Sequence, residues 1–166
     1  MRFLLAAIAA TVASVIELSL LPYLRIADVH PHPVLVLVVV WTIVGGLDSG
    51  LAVAFVGGLA LDLLAPRPLG MSAFALLVAA GLAAVFARLL VRVRPLTPVI
   101  AVPGLSFAYS LILLASMGIL GPPIPVADPA GALIPGVVYD GVLGLVVGPL
   151  AVSIRDRRAA DDRVDW

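Results

Sequence analysis

Residues 57–90 read GGLALDLLAPRPLGMSAFALLVAAGLAAVFARLL. The first apolar run carries one acid, Asp62, near its end. A short link, Ala65-Pro66-Arg67-Pro68-Leu69-Gly70, follows, and a second apolar run extends from Met71 to Leu90. That second run has the length of roughly 20 residues that a helix needs to cross the hydrocarbon core of a bilayer. The rest of the chain has the same character. Of its 166 residues, 63% are hydrophobic and only 12% are charged, and the mean hydropathy is +1.21. An ordinary soluble domain is roughly 45–50% apolar and about 25% charged. A water-soluble globule of this composition would expose apolar patches beyond what soluble monomers tolerate. This argues against a soluble enzyme, a nucleic-acid binder or a disordered tail. Six spans would use about 120 residues, so the sequence predicts one all-α polytopic membrane bundle of about six transmembrane helices.

The apolar stretches place the spans at residues 3–21, 34–47, 51–64, 71–90, 99–120 and 134–154, followed by a charged tail at 155–166. The N-terminal hydrophobicity continues past Ser14 without a clear cleavage motif, which favours an uncleaved first span over a signal peptide. Tyr23–Pro33, with Arg25, Asp28, His30 and His32, reads as a loop. The Val-rich second span looks strand-like by propensity, but a lone strand in lipid leaves its backbone groups unpaired, so a helix is expected. A tight turn is expected at Asp48-Ser49-Gly50. The second and third spans, at about 14 residues each, would reach only roughly 21 Å. Pro103 and Gly104 suggest a kink in the fifth span, and Gly121–Leu133, with Pro122, Pro123, Pro125 and Pro129, reads as a stiff loop. Gly57, Gly58, Gly144 and Gly148 are small residues that let another helix approach closely.

Every basic residue is Arg, and Lys+Arg and Asp+Glu both count 10, so no net field attracts nucleic acid. With six spans, Arg2, Arg88, Arg92, Arg94, Arg155, Arg157, Arg158 and Arg163 fall on the side of both termini, and Arg25 and Arg67 on the other. The positive-inside rule then predicts cytoplasmic termini. Under this topology Glu17, Asp62 and Asp140 all lie in the outer half of the membrane, near the level of Arg25 and Arg67. Buried acids are costly there and mark a functional layer or a structural one. Gly58 and Asp62, at i and i+4, share one helix face. The Asp62 carboxylate is positioned to accept bonds from the free N–H groups just past Gly70. His30 and His32, with Asp28, form at best a weak metal site.

The stretch Gly57–Leu90 resembles the rod shape-determining protein MreD family: Gly58, then Asp62 at a helix end, a short loop, and Leu69-Gly70 opening the next helix. Pro33-VLVLVVVW and the Gly-rich turn before Ala54-Phe55 fit as well, and the likeness covers roughly residues 15 to 95. The resemblance implies a non-catalytic bacterial inner-membrane subunit of the rod complex (elongasome). It implies association with a bitopic MreC-like protein. Through that protein it implies links to an MreB-like actin homologue, a SEDS glycosyltransferase and a class B penicillin-binding protein. It also implies a fold similar to the substrate-binding S-components of energy-coupling-factor transporters, and no cofactor.

Two functions from different classes follow. In an assembly protein, the faces of Gly57, Gly58, Gly144 and Gly148 would receive a partner helix, or serve as structural motifs with Asp62, Leu69 and Gly70. In a small-molecule-binding transport subunit, Glu17, Asp62 and Asp140, with Arg25 or Arg67, would face one outward cavity. The chain has no HExxH, no GxSxG and no Cys, which leaves an intramembrane enzyme with no nucleophile or metal motif.

Overall fold

The computed structural model of the chain describes residues 2–19, 23, 31–65, 68–90, 96–120 and 129–161. They form helices α1 (Arg2–Ser19), α2 (Pro33–Gly45), α3 (Leu47–Leu64), α4 (Met71–Leu89), α5 (Thr97–Leu120) and α6 (Pro129–Asp161). No strand occurs among the described residues. Within α3 to α6, the segments Leu47–Leu64, Met71–Leu89, Thr97–Ile119 and Leu133–Arg157 are long and apolar enough to cross a membrane, while the apolar segments Leu4–Ser19 of α1 and Pro33–Gly45 of α2 are shorter. The protein is a polytopic helical membrane bundle.

The Val-rich helix α2 is its centre. It is apolar on every side, the pattern of a helix buried all round. Val34, Leu35, Val36, Val38, Val39, Val40 and Thr42 are buried, and α2 packs against each of the other five helices. Around it, α1 packs on α3, α3 on α4, α4 on α5 and α5 on α6, while among the described residues the backbones of α1 and α6 make no close approach. The surround is therefore an arc with an opening between its first and last members. Exposed apolar side chains such as Leu5, Ile8 and Val12 on α1, Phe74 and Val85 on α4, and Val142 and Val146 on α6 clothe the outside, as a surface wetted by lipid requires.

Several boundaries differ from the sequence reading. The turn between the second and third spans is at Gly46, not at Asp48-Ser49-Gly50. Gly46 has φ 91°, a left-handed conformation that favours glycine, and its N–H returns to the Thr42 carbonyl. Asp48, Ser49 and Gly50 form the first turn of α3, where the Ser49 hydroxyl and the Gly50 N–H donate to the Gly46 carbonyl. Asp and Ser suit helix starts as well as turns, so composition did not separate the two. α3 consequently has 18 residues, and only α2, with 13, is short at about 20 Å. α5 runs on through Pro103. α6 spans 33 residues, about 50 Å, so it takes in the end of the expected Pro-rich loop and part of the charged tail. Residues 121–128 lie outside the described set.

The glycines expected to face a partner pack inside the bundle. A Cβ on Gly57 would lie 2.8 Å from Val34 Cγ1 of α2, and one on Gly58 would overlap Ala73 Cα of α4. On α6, Gly141, Gly144 and Gly148 meet Pro103, Val102 and Pro98 of the antiparallel α5. Gly50 lets α3 lie close against α2, its would-be Cβ lying 2.7 Å from Thr42 Cβ. Gly57, Gly58, Gly144 and Gly148 thus have atoms of their own chain in the space where a partner helix would enter.

Candidate functional site

The three acids of the bundle are buried: Glu17 is 5% exposed, Asp62 2% and Asp140 0%. Each meets N–H groups at the start of a helix. Asp62, near the end of α3, accepts from the backbone of Gly70 (2.9 Å), Ser72 (2.9 Å) and Ala73 (3.2 Å). Those are orphan donors of α4, since the first turn of a helix has no intrahelical acceptor. Gly70 makes the approach possible: at φ 96° it turns the chain into α4 in the left-handed conformation. Gly58, one turn before Asp62, lets α4 come within backbone contact of α3. Gly58, Asp62 and Gly70 therefore act together as a hairpin lock. Leu69 contributes an exposed side chain at its tip.

The other two acids hold the start of α2 from opposite ends of the arc. Glu17 of α1 accepts the Val34 N–H (3.0 Å). Asp140 of α6 accepts the His32 N–H through Oδ1 (2.6 Å), and its Oδ2 meets His32 Nδ1 (3.1 Å) and the Ser106 hydroxyl (2.5 Å). The Tyr109 ring stands edge-on to the His32 imidazole, with centroids 5.5 Å apart. The N-terminus of α2 carries the positive end of the helix dipole, equivalent to about half an elementary charge. It thus stabilises both carboxylates while they satisfy its free donors. Pro33 at the first helical position has no N–H to leave unpaired. Helices α1 and α6, whose described backbones make no close approach, are joined through this cap.

Ser14 of α1 extends the same layer, donating to the Ala10 and Gly57 carbonyls, and Ser72 of α4 is fully buried beside Asp62. All six helices contribute a polar side chain: Ser14 and Glu17, His32 as the cap of α2, Asp62, Ser72, Ser106, and Asp140. Sequence reasoning missed Ser14, Ser72 and Ser106 and took His32 for a loop residue. The one local signal for His32 was its place directly before a proline that opens a helix. Arg25 and Arg67, expected near the level of the acids, lie outside the described residues, as do His30 and Asp28. Among the described residues no cluster of three or more His, Cys, Asp or Glu is arranged to hold a metal ion.

This arrangement is suited to holding helices together: each of the three carboxylates is occupied by donors at the start of a helix.

The family model of rod shape-determining protein MreD matches residues 1–122. The chain belongs to the MreD family. Comparison with curated proteins and with solved structures found no match. The MreD match includes α1 to α5 and the whole Asp62 lock; it ends before α6. Asp140 therefore ties a helix outside the matched region to His32 and Ser106 inside it.

Proposed function

We propose that this chain is the non-catalytic inner-membrane subunit of the rod complex, and that it binds the single membrane helix of an MreC-like bitopic protein. Through that partner it supports cell-shape determination and peptidoglycan elongation alongside an MreB-like actin homologue, a SEDS glycosyltransferase and a class B penicillin-binding protein. Both termini are cytoplasmic in this reading. Membership of the MreD family supports it. The observation that carries the scaffold role is that Glu17, Asp62 and Asp140 are all bonded to the N–H groups of α2 and α4. Carboxylates engaged in this way hold a rigid bundle together and do not line a ligand cavity, which weighs against the transport-subunit alternative.

The partner contact belongs on glycines that no atom of the chain already meets. Gly81 of α4 and Gly104 of α5 have nothing within 4 Å of a would-be Cβ. They lie about 12 Å and about 10 Å from the inner ends of two helices that pack together, at nearly one depth. Arg88 is exposed two turns from Gly81 on the same face, placed to meet an acidic residue at the cytoplasmic end of the partner helix.

The test is co-purification of the full chain with an MreC-like protein from membranes. Gly81→Leu and Gly104→Leu should leave a monodisperse protein of unchanged Tm that no longer retains the partner. Retention of the partner by both variants would remove this face. Failure of the unmodified chain to hold any MreC-like protein would remove the reading itself.

A further inference from the structure

The start of α2 holds a titratable pair. Asp140 Oδ2 lies 3.1 Å from His32 Nδ1. The same carboxylate accepts the His32 N–H through Oδ1 and the Ser106 hydroxyl through Oδ2. Both of its oxygens act as acceptors, so it is ionised and the hydrogen of the Nδ1 contact is on the ring. A second proton, when the imidazole takes one, then goes to Nε2. Histidine ordinarily changes charge between about pH 5 and 8. Asp140 is fully buried, but the His32 side chain keeps 16% of its surface, which gives the ring a route to solvent protons.

The groups around the ring set which state the bundle favours. From α6 it meets the Asp140 carboxylate, and from α5 the edge-on Tyr109 ring and the Ser106 hydroxyl that shares Asp140. From α1, Glu17 accepts the Val34 N–H, two residues along the same cap. Helix α2 itself carries no charged side chain. On α3 and α4, Asp62 is bonded to the start of α4, while Asp48 and Arg88 lie at the opposite ends of those helices. Arg25, Asp28 and His30, in the link before His32, lie outside the described residues. The end of the α2 dipole disfavours a cation, but it amounts to about half a charge spread over several N–H groups. The whole negative charge of Asp140, in hydrogen-bonding contact with the ring, outweighs it.

We infer that His32 and Asp140 form a proton-operated clasp that sets how tightly α6 is held to the centre of the bundle. When Nε2 takes a proton from solvent, the contact becomes an ion pair of imidazolium and carboxylate. When Nε2 releases it, a neutral hydrogen bond is left on a buried charge. The effect falls on α6, because among the described residues that helix packs on α5 and α2 alone, and Asp140 is its polar tie to both. Folding then favours proton uptake by His32. The stabilisation is complete below the ordinary histidine value of about 6.5, and it is lost as pH rises through the higher value of the folded chain.

The chain has two histidines, so His30→Gln leaves the His32 ring as the one imidazole to follow. For that variant of the full chain in nanodiscs, NMR of the isotope-labelled imidazole should show a titration midpoint above about 6.5. A midpoint at or below that value overturns the inference. Stability gives an independent reading. His32→Asn keeps an amide N–H for Asp140 but takes up no proton. The Tm advantage of the natural chain over His32→Asn should be greater at about pH 5 than at about pH 9, by about 3 °C. An advantage that is equal at the two pH values, or larger at the alkaline one, overturns it as well.

Discussion

Asp62 satisfies three backbone donors with two oxygens. In Asp62→Asn only one oxygen remains, the charge opposite the α4 dipole is lost, and an amide N–H₂ faces N–H groups. The expected cost is about 2–4 kcal/mol, from hydrogen bonds to a charged group and a lost cap, read as a lower Tm by tryptophan fluorescence. Asn at position 140 offers one acceptor to three donors. Asp140→Asn should therefore lower Tm by a similar amount, and an unchanged Tm would contradict the geometry of the α2 cap. These residues also differ in how far they could be read from the chain. The partners of Asp62 follow it by 8 to 11 residues, and the spacing across one short loop pointed to them. His32 and Asp140 are separated by 108 residues, and no local pattern joins positions so distant.

Within helices, glycine has two roles that one sequence motif does not separate. Gly58 of α3 faces the backbone of α4, and Gly144 of α6 faces Val102 of α5. Gly58→Ala places a methyl group where backbone atoms already sit, and Gly144→Leu drives a large side chain between α5 and α6. Overpacking of this kind costs roughly 1–3 kcal/mol or more, and both variants should lose thermal stability in detergent. Gly81→Ala meets open space, so relief of the helix-breaking tendency of glycine should leave Tm unchanged or raise it by the equivalent of up to about 1 kcal/mol. A loss for Gly81→Ala equal to that for Gly58→Ala would mean that the inward and outward glycines are wrongly sorted. Helix α2 shows the same limit of local reading. Its valines favour strands by propensity, yet the bilayer imposes a helix and the five neighbours bury it.

For the molecule as a whole, the absence of cysteine from the sequence makes single-cysteine labelling a clean probe of orientation. Leu69→Cys, at the exposed tip between α3 and α4, should react with a membrane-impermeant thiol reagent from outside intact cells. Ser153→Cys, exposed near the far end of α6, should react only after the membrane is opened. The reverse pattern would invert the bundle and move the carboxylate layer to the cytoplasmic leaflet.

Hydrophobicity, span length and arginine distribution are properties of the linear chain, because transfer into lipid is summed residue by residue. They therefore determined the helical membrane bundle, and the short spacing from Asp62 to Gly70 pointed to the Asp62 lock without reference to any distant contact. The tertiary structure alone decided that α2 is central, that its cap brings together acids from α1 and α6, and which glycines face inward. Those outcomes depend on which helix faces meet, and packing between distant segments has no signature in the order of residues.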